Sequence, residues 1–240
     1  VRPWFEPTIE GVENIPKHDG ALFVTNHCHF GMDLPLLLSL NLDAPGRPVR
    51  SRGDRDVFAT PIAPDRAQSM GAIEGEPGAT VELLKDDQLV LVYPGGAREA
   101  LGDYEEAYKL RWDRSHGFIR TALRAQKPII PIAGLGNEEL YVQLVSQQQV
   151  RESGIGRFVS KLLGDKYVFP LYMGLGPIPF PAELHYIVGE PIHLPHGPDS
   201  ADDAALVATL HREVTETTQK LIDEGLAARK ADTDAGTVVV

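Results

Sequence analysis

The run Leu89 to Tyr93, L-V-L-V-Y, is apolar on both faces of an extended chain and stops at Pro94-Gly95-Gly96. A strand with no polar face has to be covered on both sides, as a central parallel strand between two helical layers is. Its surroundings fit. Gly78 to Lys85, where Ala79, Val81, Leu83 and Leu84 alternate with Glu82 and Lys85, predicts a helix before it. A second helix can start near Ser115, with Phe118, Ile119, Ala122 and Leu123 on one face, and leads to another strand, Ile129 to Ala133. Ala21 to Thr25, A-L-F-V-T, reads as a further buried strand entered from Asp19-Gly20. This βαβ rhythm predicts a single α/β domain over residues 1–230, a mixed, mostly parallel sheet flanked by helices, with 231–240 as a disordered tail. With 240 residues, 42% of them hydrophobic, the chain can bury one sizeable core, and two full domains would be cramped.

Other segments carry weaker expectations. Pro131 argues against a central place for Ile129 to Ala133, because proline cannot donate to the ladder. Leu184 to Val188, followed by Gly189-Glu190-Pro191, reads as an edge strand and its turn, and Leu34 to Leu40 reads as helix. Asp202 to Leu226 is an amphipathic helix with Leu206, Leu210, Val214 and Leu221 on one stripe. Phe169 to Pro181 reads as loop or short strand.

The balance of 23 Lys and Arg against 34 Asp and Glu leaves a net charge of −11, which opposes broad contact with nucleic acid or an anionic lipid surface. Against that background Lys109, Arg111, Arg114, Arg120, Arg124 and Lys127 face only Asp113 between residues 107 and 127. They form either a solvated helix face or a site for an anion or phosphate-bearing cofactor. The lone cysteine, Cys28, excludes an intrachain disulfide and a thiolate-rich metal site, and suits a reducing compartment. No secretory signal is visible, and the most apolar short run, Leu34 to Leu42, is far below the roughly 20 residues that span a bilayer. The expectation is a soluble or monotopic protein, and a start at Val1 leaves room for a trimmed upstream anchor.

Two segments carry titratable or anion-seeking groups. The first is N-H-C-H-F-G-M-D, residues 26–33, at the end of a buried strand. His27, with an unperturbed pKa of about 6.5, can take a proton from a hydroxyl if a carboxylate such as Asp33 fixes its tautomer and stabilises the imidazolium. The plainer alternative makes Asp33 a helix cap and His27 a satisfied core imidazole. A binuclear metal site would need Asp at Gly31 and His at Met32, so no metal is expected. Cys28 points away from His27 in an extended segment, which disfavours it as a nucleophile, and no G-x-S-x-G elbow exists. The second segment is Y-P-G-G-A-R-E-A-L, residues 93–101. There the amides near Gly95 and Gly96 could face an oxyanion or substrate, with Arg98 a bidentate donor, or the segment could be a tight turn with a surface arginine.

Taken together, the two segments resemble the glycerolipid acyltransferase superfamily, whose motifs read N-H-x-S-x-x-D and P-E-G-T-R. The first is matched with one extra residue between His27 and Asp33, the second with Gly95 for Glu and Ala97 for Thr. Ile129 to Ala133 is similar to a further apolar motif around proline, and the resemblance spans about residues 15–192. These departures, with the following E-A-Y-K-L-R-W, look like the neutral-lipid branch of phytyl-ester-synthase-like and diacylglycerol-acyltransferase-like proteins. Met70 to Gly75 lacks the arginine that phosphate-acceptor members carry there.

The resemblance implies an O-acyltransferase that moves a long acyl chain from acyl-CoA or acyl carrier protein to a lipid alcohol, without a metal or bound cofactor. His27 would be the base, Asp33 its orienting carboxylate, and Gly95, Gly96 and Arg98 the substrate-binding group. Peripheral contact with a membrane on its cytoplasmic side is expected through apolar loops, with Phe169 to Phe180 the candidate. A thioester or ester hydrolase, a 1-acylglycerol-3-phosphate acyltransferase and a lipid-binding module are the competing readings.

Overall fold

The computed structural model describes residues 5, 7–28, 47–53, 72–74, 77–100, 102–163, 168, 170–174 and 179–234. Asp33 and the helix expected over Leu34 to Leu40 lie outside these residues, as do Met70, Gly71 and Gly75.

Nine strands are present among the described residues: β1 (Thr8–Glu10), β2 (Ala21–Thr25), β3 (Val49–Gly53), β4 (Ala72–Glu74), β5 (Leu89–Val92), β6 (Ile129–Leu135), β7 (Val142–Val145), β8 (Leu171–Met173) and β9 (His185–Val188). The helices are α1 (Pro77–Lys85), α2 (Ala97–Ala100), α3 (Gly117–Ala125), α4 (Gln147–Glu152), α5 (Gly154–Leu163) and α6 (Ala204–Asp234). Seven strands make one sheet in the order β1-β9-β6-β2-β5-β3-β4, and β7 pairs with β8 in a separate antiparallel ribbon. Every pairing in the main sheet is parallel except β6 with β9.

The strands that read as apolar on both faces are buried on both faces. Ala21, Phe23, Leu89 and Leu91 join Ile130, Ile132 and Tyr186 in one core layer. The alternate residues Leu22, Val24, Val90 and Val92 pack on the other side against Phe118, Ile119 and Leu123 of α3 and Val207, Leu210 and Val214 of α6. Period-two alternation thus sends successive side chains into two different cores. Each fully buried Leu or Phe contributes about 1.5–3 kcal/mol relative to exposure.

Three expectations need correction. β6 is central despite Pro131, lying between β2 and β9 and buried along its whole length. The proline is tolerated because its nitrogen faces the β9 side, where that strand breaks into a turn. There Gly189 N–H donates to Pro131 O at 2.8 Å, and pairing resumes only at the Ile129–Ile192 bridge. β9 is no edge strand, because β1, unread in the sequence, covers its outer side in parallel register. Finally, α6 is 31 residues long, capped by Asp203 Oδ1 accepting from Ala205 and Leu206 N–H, and it continues through 231–234. Four of the ten residues expected as a disordered tail are therefore helical.

Candidate active site

The site forms where two parallel strands end side by side. The β2–β5 register pairs Val24 with Val92, so Asn26-His27 and Tyr93-Pro94-Gly95 leave the sheet together, at the edge where open α/β sheets place ligand chemistry. The half-buried His27 ring stacks on Tyr93, with centroids 4.0 Å apart and planes 26° from parallel. Asn26 is stitched to β6: its Nδ2 donates to Gly134 O at 2.9 Å, and Gly134 N–H donates to its Oδ1 at 2.8 Å. The residue before His27 is thereby fixed by two hydrogen bonds in a buried setting, where an unmade one costs about 1–3 kcal/mol.

The turn after β5 does something the sequence reading did not anticipate. Gly96 adopts φ +52°, and its N–H donates to Tyr93 O at 3.1 Å, so this amide closes the turn and is not the anion donor expected of it. Gly95 makes room. A Cβ there would fall 2.0 Å from Glu99 Cδ, and the space admits the Glu99 carboxyl. That carboxyl accepts His27 N–H through Oε2 at 3.1 Å and Arg111 N–H through Oε1 at 2.8 Å. Burial pushes Glu99 up to about 7, against the pull of those two backbone donors and of His27. Glu99 was missed because α2 begins only at Ala97 and Gly96 has φ +52°, so no helical spacing links Glu99 to Gly95 in the sequence.

Beside His27 opens a cleft lined by Gly102, Asp103 and Glu106 to Lys109 together with Glu99, Arg111 and Glu138. Four carboxylic acids, Glu99, Asp103, Glu106 and Glu138, face two cations, and one of these, Arg111, already pairs with Glu106 at 2.5 Å. Tyr108 holds the wall in a left-handed backbone conformation, φ +60°, with its hydroxyl accepting Gly136 N–H at 2.9 Å and donating to Glu139 at 3.2 Å. Burial, then the Glu139 charge, raises this phenol above its ordinary range.

Arg98 sits apart from this wall. Its Nη1 meets Asp113 Oδ1 at 2.8 Å, an exposed pair that holds the Asp113 carboxyl below its usual value. The other basic residues of 107–127 are similarly occupied: Arg114 with Asp113, Arg120 on Ala201 O, Arg124 with Asp202, Lys127 with Asp19 and Asp87, and Lys109 on Glu105 O. Arg120 and Arg124 tie α3 to Ala201 and Asp202, and of the six basic residues only Lys109 and Arg111 share the cleft, where Arg111 is paired with Glu106. Cys28 is fully buried in the core layer containing Phe23 and Leu91. Thus His27, Gly95 and Gly96 come together, while Arg98 is turned to Asp113.

Comparison with known proteins bears on this geometry. The chain is 29% identical over 238 residues to an uncharacterized protein of Mycobacterium tuberculosis, covering 95% of this chain and 64% of that one. A human protein named DGAT1/2-independent enzyme synthesizing storage lipids is 29% identical over 189 residues, covering 79% of this chain and 54% of its own length. Phytyl ester synthase 2 of Arabidopsis thaliana is 24% identical, over 93% of this chain and 35% of that one. The chain therefore spans less than two-thirds of the length of these relatives. Among solved structures, the 1-acyl-sn-glycerophosphate acyltransferase PlsC of Thermotoga maritima matches with a TM-score of 0.51 at 14% identity, covering 90% of this chain and 72% of the other, a likeness of fold. A model of the diacylglycerol acyltransferase family matches residues 55–237, more than half of the chain, and the protein belongs to that family.

Proposed function

We propose that the protein is an O-acyltransferase that carries an acyl chain from acyl-CoA or acyl carrier protein to a neutral lipid alcohol. The observation that carries the neutral acceptor is the cleft wall: four carboxylic acids stand beside His27, and Arg98 pairs with Asp113. With Glu106 paired to Arg111 and burial favouring the neutral form of Glu99, Asp103 and Glu138 face Lys109 alone, so the wall offers a phosphate no excess of cations and suits an acceptor that offers only hydroxyls.

In this mechanism His27 takes the acceptor proton as the alcohol oxygen attacks the thioester carbonyl. The tetrahedral intermediate collapses by breaking the C–S bond, and the imidazolium returns its proton to the departing thiolate. Asp33 would orient the imidazole. Glu99 acts through His27 as a positioning residue, since it grips the backbone N–H of His27 and not the ring. Peripheral contact with a membrane, from which the lipid substrates come, belongs to the same proposal.

The test is acceptor competition at fixed acyl-CoA. Monoacylglycerol, diacylglycerol or a long-chain alcohol should be acylated in preference to glycerol 3-phosphate or lysophosphatidate, and Arg98→Ala should leave that preference nearly unchanged. A preference for a phosphorylated acceptor that disappears in Arg98→Ala would overturn the neutral assignment. Release of free fatty acid that is indifferent to any alcohol would favour a hydrolase.

A further inference from the structure

Behind the acid-lined cleft lies a surface of the opposite character. Asp103 on the cleft rim holds two elements at once: its Oδ1 accepts Gln143 Nε2–H of β7 at 2.9 Å and Gln147 N–H at the start of α4 at 2.8 Å. The β7–β8 ribbon turns Gln143 and Tyr172 inward, with the Tyr172 hydroxyl donating to Gly102 O. Its outer side presents Val142, Leu144, Leu171 and Met173, each about half exposed. Next along the chain, α5 leaves Ile155, Phe158 and Leu162 exposed by 77%, 66% and 66%. Their spacing of three and four puts them on one stripe.

This face of α5 is not an accident of a loose helix. α4 carries a Ser146–Gln149 capping box, and α5 is seated on it through Gly156, whose N–H donates to Ser153 Oγ at 3.0 Å and whose missing Cβ would strike Val150 O at 1.8 Å. The buried side is fixed, so the bare side is presented outward. Beside the bare stripe stand exposed Arg157 and Lys161, and α5, G-I-G-R-F-V-S-K-L-L, contains no acid in a chain whose net charge is −11.

We infer that α5 and the outer side of the β7–β8 ribbon form a docking surface for an anionic lipid bilayer, which brings the rim of the cleft to the membrane interface. The inference rests on the proposed action on lipids and names the surface involved. Apolar side chains at this density bury into the headgroup and acyl boundary, while Arg and Lys stems beside them lay their charges on anionic headgroups. The overall negative charge does not forbid this, because at physiological salt screening acts within about 8 Å and a local cationic strip governs its own contact. A two-fold dimer through α5 is disfavoured, since it would set Arg157 and Lys161 of one copy against the same cations of the other. Of the Phe169 to Phe180 segment expected to touch the membrane, Leu171 and Met173 are on this surface, whereas Phe180 is half-buried with its N–H donating to Leu140 O.

The experiment is vesicle flotation of the full chain with phosphatidylcholine vesicles, alone or with phosphatidylglycerol. It is run on the unmodified protein, on Ile155→Ser/Phe158→Ser/Leu162→Ser, and on Arg157→Gln/Lys161→Gln. The unmodified protein should float with the phosphatidylglycerol vesicles. The triple variant should lose at least tenfold in partitioning with an unchanged melting temperature, because the replaced side chains are exposed. The charge variant should lose about fivefold per cation, and only on anionic vesicles. Equal flotation of the triple variant and the unmodified protein, or no flotation of the unmodified protein, overturns the inference. So does sedimentation showing a dimer that the triple variant dissolves. Flotation needs no turnover, and a parallel assay with a short-chain acyl-CoA and a water-soluble diol reads the acyltransferase proposal separately.

Discussion

The cleft wall and the ribbon behind it meet at Gly102 and Asp103, yet they have opposite chemistry. On the cleft side Glu99, Asp103, Glu106 and Glu138 crowd around His27 and Arg111. On the outer side Val142, Leu144, Leu171 and Met173 carry no charge at all. One short connection thus separates a place suited to a hydroxyl and a proton transfer from a place suited to hydrocarbon. The proposed transfer to a lipid alcohol needs both, because the reacting oxygen is polar and the rest of such a molecule is not. The separation should be visible in function: changes in the cleft should alter turnover without altering vesicle binding, and changes on the ribbon and α5 the reverse.

The largest effect is expected at His27. His27→Ala should lower transfer about 100-fold to 10,000-fold, and Asp33→Asn most of that, with circular dichroism and vesicle flotation unchanged. A folded His27→Ala protein that retains its rate would remove the base from the mechanism and leave the cleft without a catalytic role.

Gly95→Ala comes next. A methyl group at this buried position collides with the Glu99 carboxyl, so the variant should lose about 1–3 kcal/mol in urea melts, together with activity, as Glu99 is pushed off the His27 amide. Adding Glu99→Ala should recover the stability lost to the collision and leave activity low. An undiminished rate in Gly95→Ala would show that the Glu99 contact does not position His27.

Glu99→Gln separates charge from shape and has a pH signature. A carboxyl whose folded-state value is raised from 4.5 to about 7 favours the protonated form, so its contribution to stability is fully present below pH 4.5 and is lost as pH rises through 7. At about 1.4 kcal/mol per pKa unit the span corresponds to about 3 kcal/mol. Glutamine cannot titrate, so the variant's melting profile should lack this decline, and the gap to the unmodified protein should narrow between pH 5 and 8. Parallel profiles for the two proteins would mean that Glu99 does not titrate in this window.

Arg98→Ala is the smallest. Its ion pair with Asp113 is exposed, and such pairs contribute about 0–1 kcal/mol, so both melting temperature and acceptor preference should barely move.

Much of the framework was legible because it rests on local pattern. The runs A-L-F-V-T and L-V-L-V-Y have no polar face, and a backbone that must satisfy its hydrogen bonds while hiding every side chain has few options besides a central strand. The same holds for α3, where Phe118, Ile119, Ala122 and Leu123 recur at helical spacing and are all buried. α5 has a comparable stripe that stays bare, and no periodicity distinguishes the two, because what covers a face is set by which element lies across from it.

His27 and the Gly95-Gly96 turn could be singled out from residue type and from their position after apolar strands. Their proximity was decided by the parallel register of β2 on β5, and so was the grip of Glu99 on the His27 amide. Asn26 bonding Gly134, Pro131 in mid-sheet and Arg98 paired with Asp113 are of the same kind. Each depends on a partner between 15 and 108 residues distant along the chain, or on where a neighbouring strand ends. Sequence by itself determined which segments must be strands or helices and which side chains have chemistry to offer, since both follow from short-range sterics and hydrophobicity. Only the tertiary structure decided which of those side chains meet, because hydrogen bonds and ion pairs act over a few ångströms of space whatever the distance along the chain.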